Sequence, residues 1–276
     1  MKFGNSEILI FRDGTFTLDT GAAFGIIPRN VWSRHIVPNN EGRVPLQTNI
    51  PIIIGKEKSF MIDSGLGLNP DPLKKKWFQV NKSEDLSKSL IEMDLQRKIT
   101  YILHSHMHFD HMGHTFEKDE AGTYFLPDAV PVINKRELEN FRKPNEFTKG
   151  SYTQWDRNFA KRKTRIISGS SNIQGGMKIV QTSGHTSGHC AFSYEDGNHR
   201  LTYFGDLIPN TFYLKTGYLT AIDTYPMETI RYKKKLIRQA IRERRLCLFS
   251  HDTKTSAAYL SGDESNPEIE AVNVME

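Results

Sequence analysis

The sequence predicts an α/β protein in which mixed β-sheets carry α-helices on their outer faces. Apolar runs of strand length repeatedly follow one another with no helix between them, an order that a purely parallel, doubly wound sheet does not allow. Segments with a helical period of about 3.6 residues are interspersed among these runs. The 276 residues are 37% hydrophobic, which provides for a sizeable core.

The first strand-like runs lie at residues 7–11, 50–54 and 59–62, each rich in β-branched or aromatic side chains. Residues 21–49 contain three prolines and paired asparagines, so this segment is predicted to be a long irregular arm. An arm of that length in a compact domain is expected to line a substrate pocket or a contact between copies. Five apolar residues in or near it are candidates for that wall or contact: Phe16, Phe24, Ile26, Ile27 and Trp32.

A helix is predicted over residues 83–95, where apolar residues recur at helical spacing and Ser83 is a suitable N-cap. Buried strands are predicted to follow at residues 99–103 and 130–133. The segment 134–142 opens on Asn-Lys-Arg-Glu, which resembles a capping box and predicts a helix.

Four further strands are predicted at residues 177–181, 190–194, 201–204 and 246–249. Pro226 is predicted to open a helix that runs to about residue 245. Its basic side chains form one stripe: Arg231, Lys234, Lys235, Arg238, Arg242 and Arg245. A solvated outer face is the stronger interpretation of this stripe, and an RNA-binding face is the weaker one.

The charge of the chain is unevenly distributed. The net charge is +5, yet the tail at residues 261–276 has five acidic residues and neither lysine nor arginine. The rest of the chain is therefore more strongly basic than the total suggests. Mild basicity favours anionic partners only weakly, so no nucleic-acid partner is expected.

The sequence predicts a cytoplasmic protein without membrane spans. No stretch approaches the roughly 20 apolar residues that cross a bilayer. The apolar run at residues 8–11 is too short for the core of a signal peptide. Cys190 and Cys247, a lone pair without metal-ligand spacing, are expected to be reduced.

Five histidines lie within eleven residues directly after the predicted strand 99–103: His104, His106, His108, His111 and His114. Imidazole is the commonest metal ligand in proteins, and an adjacent carboxylate adds a hard oxygen donor. His106 and His108 cannot share one helix face, but a loop can converge them on one ion. Asp110 and His111 point differently, which suits a second ion close by, and Gly113 is expected to allow a tight turn there.

Three later segments supply further candidate ligands. His185 and His189 lie in a glycine-rich turn after a strand, Asp206 follows another strand, and His251 follows a third. Ligands at several strand ends are what a site at one edge of a sheet requires. His189 is expected to support a ligand by hydrogen bonding. No part in metal binding is expected for the core histidine His104 or for His35, His114, His199 and Asp252.

These residues, in this order, resemble the ligand set of the metallo-β-lactamase superfamily. His106-x-His108-x-Asp110-His111 is followed by His185, Asp206 and His251 at intervals of 74, 21 and 45 residues. The segment 61–65, Met-Ile-Asp-Ser-Gly, matches the early Asp-Thr/Ser-Gly motif of that family. The resemblance spans residues 63–251, and five ordered motifs are far more specific than one.

The resemblance implies a four-layer αββα sandwich of two mixed sheets, formed as one domain over residues 1–276 with the arm at 21–49 and the acidic tail at 261–276. It also implies a site for two divalent ions, zinc first, with manganese, iron or cobalt as alternatives. One ion would be held by His106, His108 and His185, the other by Asp110, His111 and His251, with Asp206 between them. Asp63 would fix the tautomer of a ligand histidine.

A water shared by two such ions yields hydroxide at neutral pH, so the resemblance implies a hydrolase. The surplus positive charge would stabilise an anionic tetrahedral intermediate, and Asp110 would carry the proton to the leaving group. A non-catalytic metal-binding regulator is the alternative from another class, and the complete ligand set argues against it. A nuclease is a further alternative, which would require salt-dependent RNA affinity through the basic helix.

Within the superfamily, the chain looks most like the YtnP-type quorum-quenching lactonases and the methyl parathion hydrolase-like branch. The matching segments are residues 21–28, 32–34, 205–209 and 223–226. This implies a small ester-like substrate, with an N-acyl homoserine lactone first and a phosphotriester, carboxylic ester or thioester as alternatives.

Lactonases of the best-known type carry a tyrosine three residues after the bridging aspartate, where this chain has Pro209. Tyr213 or Tyr218 are candidate replacements for it. Phe24, Ile27, Phe109 and Tyr213 are the candidate substrate contacts, and a homodimer is a further expectation.

Overall fold

Strands that are scattered along the sequence form two seven-stranded mixed sheets in the computed structural model, which describes residues 1–82, 86–153 and 161–274. The first sheet consists, in spatial order, of β1 (Lys2–Phe3), β2 (Ser6–Asp19), β3 (Arg43–Ile54), β4 (Ser59–Ile62), β5 (Tyr101–Leu103), β6 (Val130–Asn134) and β7 (Arg165–Ile167). The second consists of β8 (Ser171–Ile173), β9 (Met177–Gln181), β10 (Cys190–Asp196), β11 (His199–Tyr203), β12 (Leu246–Leu248), β13 (Ala257–Ser261) and β14 (Glu268–Ala271). Strands β4 to β7 run parallel to one another, as do β11 and β12, and the other neighbours are antiparallel.

The described helices are α1 (Thr20–Phe24), α2 (Arg29–Trp32), α3 (Pro72–Trp77), α4 (Leu86–Glu92), α5 (Phe109–Met112), α6 (Lys135–Arg142) and α7 (Pro226–Arg242). One apolar cluster joins the two sheets, and within β3 it takes Ile53. The neighbouring Ile52 points to the opposite face and packs in the cluster that contains Leu86 and Leu90 of α4. Leu236 and Ile237 of α7 cover the outer face of the second sheet. The predicted αββα sandwich is therefore confirmed.

The prediction of an irregular arm over residues 21–49 is wrong for much of that segment. Residues 20–24 and 29–32 form α1 and α2, and β3 begins at Arg43 and pairs with β2 along its length. Pairing of β3 with β4 begins only at Ile52, so the missing N–H of Pro45 removes no bond on that side. The proline and polar side chains at the start of β3 are typical of a loop. Hydrogen bonding to the long strand β2 nevertheless makes this segment a strand.

The predicted helices are present with adjusted bounds. The helix expected at 83–95 is described from Leu86 to Glu92, and the Ser83 cap lies outside the described residues. Asn134 caps α6 as predicted, by accepting a hydrogen bond from the Arg136 N–H. The capping-box role of Glu137 is wrong, because its carboxylate is buried against other segments. Pro226 opens α7, which ends at Arg242.

The basic stripe and the acidic tail contact each other. Arg238 of α7 pairs with Glu264 at 2.7 Å. Arg244, which follows α7 and is not part of the stripe, pairs with Glu270 of β14 at 3.2 Å. Placing Arg245 in the solvated stripe is wrong, because it lies beyond α7 and is buried in contact with Glu195. The tail therefore offsets part of the helix's charge instead of leaving a uniformly basic face.

Both cysteines are buried free thiols, as expected. Within the described parts of the chain, every helix is too short or too polar to span a bilayer.

Lys233 of α7 has no exposed surface. Its Nζ donates hydrogen bonds to the carbonyl oxygens of Lys215, at 3.0 Å, and Tyr218, at 2.6 Å. Burial lowers the pKa of Lys233 to about 7, and the nearby charge of Asp223 offsets this only in part. The turn at residues 215–218 is therefore fixed to α7 by a buried amine.

We expect Lys233→Met to change how stability depends on pH. An unfolded lysine keeps its proton up to about pH 10.4, whereas folded Lys233 releases it near pH 7, so this group makes the wild type more stable as pH rises between these values. From pH 7 to 9.5, the wild-type free energy of unfolding should gain on the order of 3 kcal/mol more than that of the variant. Urea unfolding at both pH values measures this, with the exposed Lys235→Met as control. The same pH dependence in Lys233→Met and wild type would contradict the expectation.

Candidate metal centre

The predicted ligands meet at one edge of the two sheets, where parallel strands end. The segment 104–111 follows β5, Asp206 follows β11 and His251 follows β12. His185 lies in the turn between β9 and β10, in the same sheet. The carboxyl ends of parallel strands share one sheet edge, which is why residues far apart in sequence lie together here.

The first group consists of His106, His108 and His185, all buried, with one ligand atom each within 4.8 Å of the others. His185 Nε2 lies 3.1 Å from His108 Nδ1, so two imidazole nitrogens point at the same place. His106 Nε2 is buried without a hydrogen-bond partner among the described residues. A buried polar atom without a partner is costly, and a cation in this group would satisfy it.

The second group consists of Asp110, His111, Asp206 and His251. The Nε2 atoms of His111 and His251 are 3.1 Å apart, and each lies 3.4 Å from Asp110 Oδ2. Two imidazoles and two carboxylates form a donor set suited to a divalent ion with nitrogen and oxygen ligation.

Asp206 faces both groups, with one oxygen toward each. Its Oδ1 lies 3.3 Å from His111 Nε2 and 3.0 Å from His251 Nε2. Its Oδ2 lies 3.5 Å from His185 Nε2 and 3.9 Å from His106 Nε2. This is the arrangement of a carboxylate that bridges two neighbouring ions.

Outer contacts hold four of the histidines with Nε2 toward the centre. Their Nδ1 partners are Ser105 Oγ for His106 (3.0 Å), Asp63 Oδ2 for His111 (2.8 Å), Asp223 Oδ1 for His185 (3.0 Å) and the Gln47 carbonyl oxygen for His251 (2.9 Å). A partner on one ring nitrogen fixes the tautomer and leaves the other nitrogen free to bind metal. The seven residues therefore fit two divalent ions.

The charges of the site also favour bound cations. Burial lowers the pKa of His106 and His108 well below the ordinary value, so both imidazoles are neutral ligands. Burial acts the same way on His111, but Asp206, Asp110 and Asp63 outweigh it and raise its pKa well above the ordinary value. Buried carboxylates thus hold a proton on an imidazole, and a divalent cation bound there would take the place of that proton.

Asp63, the expected support for a ligand histidine, directly follows β4 in the left-handed region, with φ of +58°. Its carboxylate accepts hydrogen bonds from Ser105 N at 2.7 Å and the Tyr203 hydroxyl at 2.7 Å, besides its contact with His111. One carboxylate thus ties β4, the histidine loop and β11 together. Such strain in a non-glycine residue persists only where its surroundings determine it.

The chain turns at residues 113–116, as predicted, but Gly113 has ordinary helical backbone angles there. Close packing, rather than the turn itself, requires glycine at this position. A Cβ atom there would lie 2.1 Å from the backbone of Leu66 and Gly67. Its N–H donates to the Gly65 carbonyl at 2.7 Å, so the short ligand helix α5 rests directly on the turn that follows Asp63.

Glu137 connects the two loops of the first ligand group, and sequence reasoning missed this. Its Oε1 accepts hydrogen bonds from Met107 N, at 3.1 Å, and from the Tyr152 hydroxyl, at 2.9 Å, while its Oε2 accepts one from Thr186 Oγ1. Met107 lies between two ligands and Thr186 follows the third. The Tyr152 ring also packs edge-on against His108, with centroids 5.1 Å apart.

Two more supports act on single ligands. His189 Nε2 accepts a hydrogen bond from the Asp206 N–H at 3.1 Å, in line with its expected supporting role. Burial lowers the pKa of His189 to about 3, with the neighbouring His185 adding to this, so its ring stays neutral. Asp223 was noted in the sequence only as part of a matching segment, and its contact with His185 was not foreseen.

The histidines expected to be uninvolved lie outside the two groups. His104 is buried and contacts the Thr115 hydroxyl at 3.0 Å. His114 lies between Asp13 and Glu117, and His35 is exposed. His199 packs on the Phe3 ring.

A cavity of about 520 Å³ opens beside the second group and includes His251 in its wall. Of the four candidate substrate contacts, Phe24 and Tyr213 line this cavity. Ile27 lies in a hydrophobic core cluster, and Phe109 packs with Phe16 and Phe78. The Tyr213 hydroxyl donates to the Ala23 carbonyl at 2.6 Å. Tyr218, the other candidate replacement, lines the cavity as well.

The remaining residues expected near the arm take different positions. Trp32 stacks on Phe24 with ring centroids 4.5 Å apart, and Phe16 packs edge-on against the His251 ring at 5.3 Å. Ile26 is 84% exposed and faces solvent. Phe24 and Trp32 thus form one stacked pair, of which Phe24 reaches the cavity, while Phe16 supports a ligand.

The sequence profile of the metallo-beta-lactamase superfamily matches residues 43–251. No curated protein sequence matches the chain significantly. Among solved structures, a probable metal-dependent hydrolase from Staphylococcus aureus is 29% identical, with a TM-score of 0.88 over 99% of each chain. The dizinc quorum-quenching lactonase AidC is 20% identical, with a TM-score of 0.76 over 100% of this chain and 97% of its own. AiiA of B. thuringiensis is 16% identical, with a TM-score of 0.67 over 92% and 95% of the two chains, and at such identities these last two likenesses show the fold alone.

Proposed function

The chain belongs to the metallo-beta-lactamase superfamily and is a metal-dependent hydrolase, and from this we propose that it cleaves a small ester-like substrate, with a lactone first. The observation that carries the proposal is the position of Asp206. It spans two buried ligand groups, and His251 of the second group lines a cavity large enough for a small organic molecule.

We propose zinc in both groups, because imidazoles and carboxylates are the usual ligands of catalytic zinc, with manganese, iron and cobalt as the alternatives for the same donors. Divalent ions bound there would lower the pKa of water and polarise the oxygen of the scissile bond. The chain's own residues supply the remaining requirements. The contacts of Asp63, Asp223 and Ser105 orient the imidazoles before substrate arrives.

Asp110 is the proposed proton carrier. Its carboxylate lies 3.4 Å from both His111 Nε2 and His251 Nε2, and His251 lines the cavity. From there it can take the proton that water loses and deliver it to the leaving oxygen. Hydrolysis then breaks the acyl carbon–oxygen bond and leaves a carboxylate and an alcohol, without any redox step.

An N-acyl homoserine lactone, the substrate of quorum quenching, is the first specific candidate. AidC is a quorum-quenching lactonase, and it is similar to this chain over nearly the full length of both. The cavity offers an apolar wall for an acyl chain, with Phe24 and Leu46 among its residues. A phosphotriester is the second candidate, favoured by Pro209 at the position where lactonases carry a tyrosine and by the engagement of the Tyr213 hydroxyl with Ala23.

A panel of substrates with the metal-reconstituted protein tests the proposal. We expect about two zinc ions per chain by elemental analysis and hydrolysis of N-hexanoyl homoserine lactone, with kcat/KM in the usual enzymatic range of about 10⁴ M⁻¹s⁻¹ or more. Chelation should abolish turnover, and added zinc should restore it. Preference for paraoxon would select the phosphotriester alternative. Two bound ions without hydrolysis of any lactone, ester, thioester or phosphotriester would contradict the proposed function.

A further inference from the structure

The cavity beside His251 has an apolar wall and a cationic rim. Phe24, Val44, Leu46 and Leu214 contribute the apolar surface near the metal centre. Lys215 and Lys254, both exposed, also line the cavity, and they come from different segments of the chain. A molecule that fills this space can therefore contact a residue of the second ligand group, His251, and the two exposed lysines.

Among the described cavity residues, the two lysines outnumber the one carboxylate. Asp252 is the acidic residue of the lining, and its carboxylate already accepts four hydrogen bonds. Ile269 of β14 lines the cavity, so its strand neighbours Glu268 and Glu270 point to the opposite face. Glu270 accordingly pairs with Arg244 there.

Two buried side chains fix the backbone beside both lysines. Lys233 Nζ donates to the carbonyl oxygens of Lys215 and Tyr218 and anchors that turn on α7. On the other side, Asp252 Oδ1 accepts from Lys254 N at 2.9 Å. The two segments that carry the cations are therefore held in place, although the ammonium groups reach into solvent.

Resting on the proposed function, we propose that the chain prefers, over an uncharged ester or lactone of the same length, one that carries a second, anionic group away from the scissile bond. An apolar segment lies between these two groups, against the wall at Phe24 and Leu46. The reactive carbonyl lies at the metal centre, and the anion lies at Lys215 and Lys254. Rim charges of this kind attract an anionic substrate and hold it by Coulomb forces that salt weakens.

Two probes of equal chain length test this with the metal-loaded protein: the p-nitrophenyl ester of hexanoic acid and the mono-p-nitrophenyl ester of adipic acid. We expect kcat/KM to favour the adipic ester by roughly tenfold at low salt and by less than about twofold at 0.5 M salt. The Lys215→Glu/Lys254→Glu double variant should reverse the preference. Lys2→Glu/Lys56→Glu changes the net charge equally at exposed positions outside the cavity lining and should leave the preference unchanged.

Calorimetric binding of the products, adipate and hexanoate, separates this proposal from the proposed function because it needs no turnover. Tighter binding of adipate that is lost in the double cavity variant supports the anionic subsite even if neither ester is cleaved, an outcome that would count against the proposed function alone. Equal kcat/KM for the two esters, together with equal affinity for adipate and hexanoate, would overturn the inference. The inference would also be overturned if the Lys215→Glu/Lys254→Glu variant lowered kcat/KM and binding equally for the anionic and the uncharged probe.

Discussion

Replacing Asp206 by Asn is expected to lower kcat/KM about 100- to 1000-fold and to reduce bound zinc below two ions per chain. Its two oxygens face different ligand groups, at 3.0 Å from His251 and 3.5 Å from His185. An amide presents only one oxygen and turns two N–H donors toward the other group. One metal position therefore loses a ligand, and the negative charge that balances two cations is lost with it.

The measurements are metal content after dialysis and steady-state kinetics on the best substrate of the panel. Asp196→Asn is the matched control, because it makes the same chemical change at a half-buried carboxylate that contacts Asn5 and Ser6 and belongs to neither ligand group. Circular dichroism shows whether each variant folds. A folded Asp206→Asn protein with two zinc ions and wild-type turnover would mean that Asp206 does not join the two groups.

The ligand set could be predicted from the sequence because each ligand lies in a segment that follows a strand, and only Asp110 and His111 of these lie in an α-helix, the short α5. Such positions leave a local signature: an apolar run, then polar residues of metal-binding type, as in Ile102-Leu103 before His106 and His108. The order of these segments along the chain carries the rest of the information. Nothing about the ligands depends on knowing which residues touch across the fold.

The supporting residues could not be predicted in the same way. Asp223 contacts His185, 38 positions away, and Glu137 contacts Thr186, 49 positions away. Glu137 lies three residues after the Asn134 cap, so the sequence alone explains it as part of a capping box. That local explanation gives no sign of its contacts with the ligand loops. Its burial is the physical fact that distinguishes the two roles, and burial arises only from tertiary packing.

The first part of β3, before residue 50, could not be predicted either, because it too depends on contacts between distant segments. Pro45 and the polar run at Gln47 suggest a loop when each residue is considered by itself. In the fold, these residues pair with the long strand β2, and Gln47 presents its carbonyl oxygen to His251. Polar residues in this strand hold the metal site rather than mark a loop.

Replacing Glu137 by Leu is expected to loosen zinc binding about 10- to 100-fold and to lower the free energy of unfolding by roughly 3 kcal/mol or more. Leucine accepts no hydrogen bond, so the Met107 N–H and the hydroxyls of Tyr152 and Thr186 lose their buried acceptor. Each unpaired buried donor costs about 1 to 3 kcal/mol. The loop of His106 and His108 then loses its connection to the loop of His185.

Zinc affinity is measured by competition with a chromophoric chelator, and stability by urea unfolding of the metal-free and metal-loaded proteins. Glu137→Gln keeps the shape and one acceptor oxygen, so it should recover part of the affinity that Glu137→Leu loses. Glu139→Gln, on the exposed side of the same helix, should match wild type in both measurements. If Glu137→Leu is less stable but binds zinc as tightly as wild type, Glu137 stabilises the core without positioning the ligands. Weaker zinc binding that Glu137→Gln partly restores would show that the carboxylate positions both ligand loops.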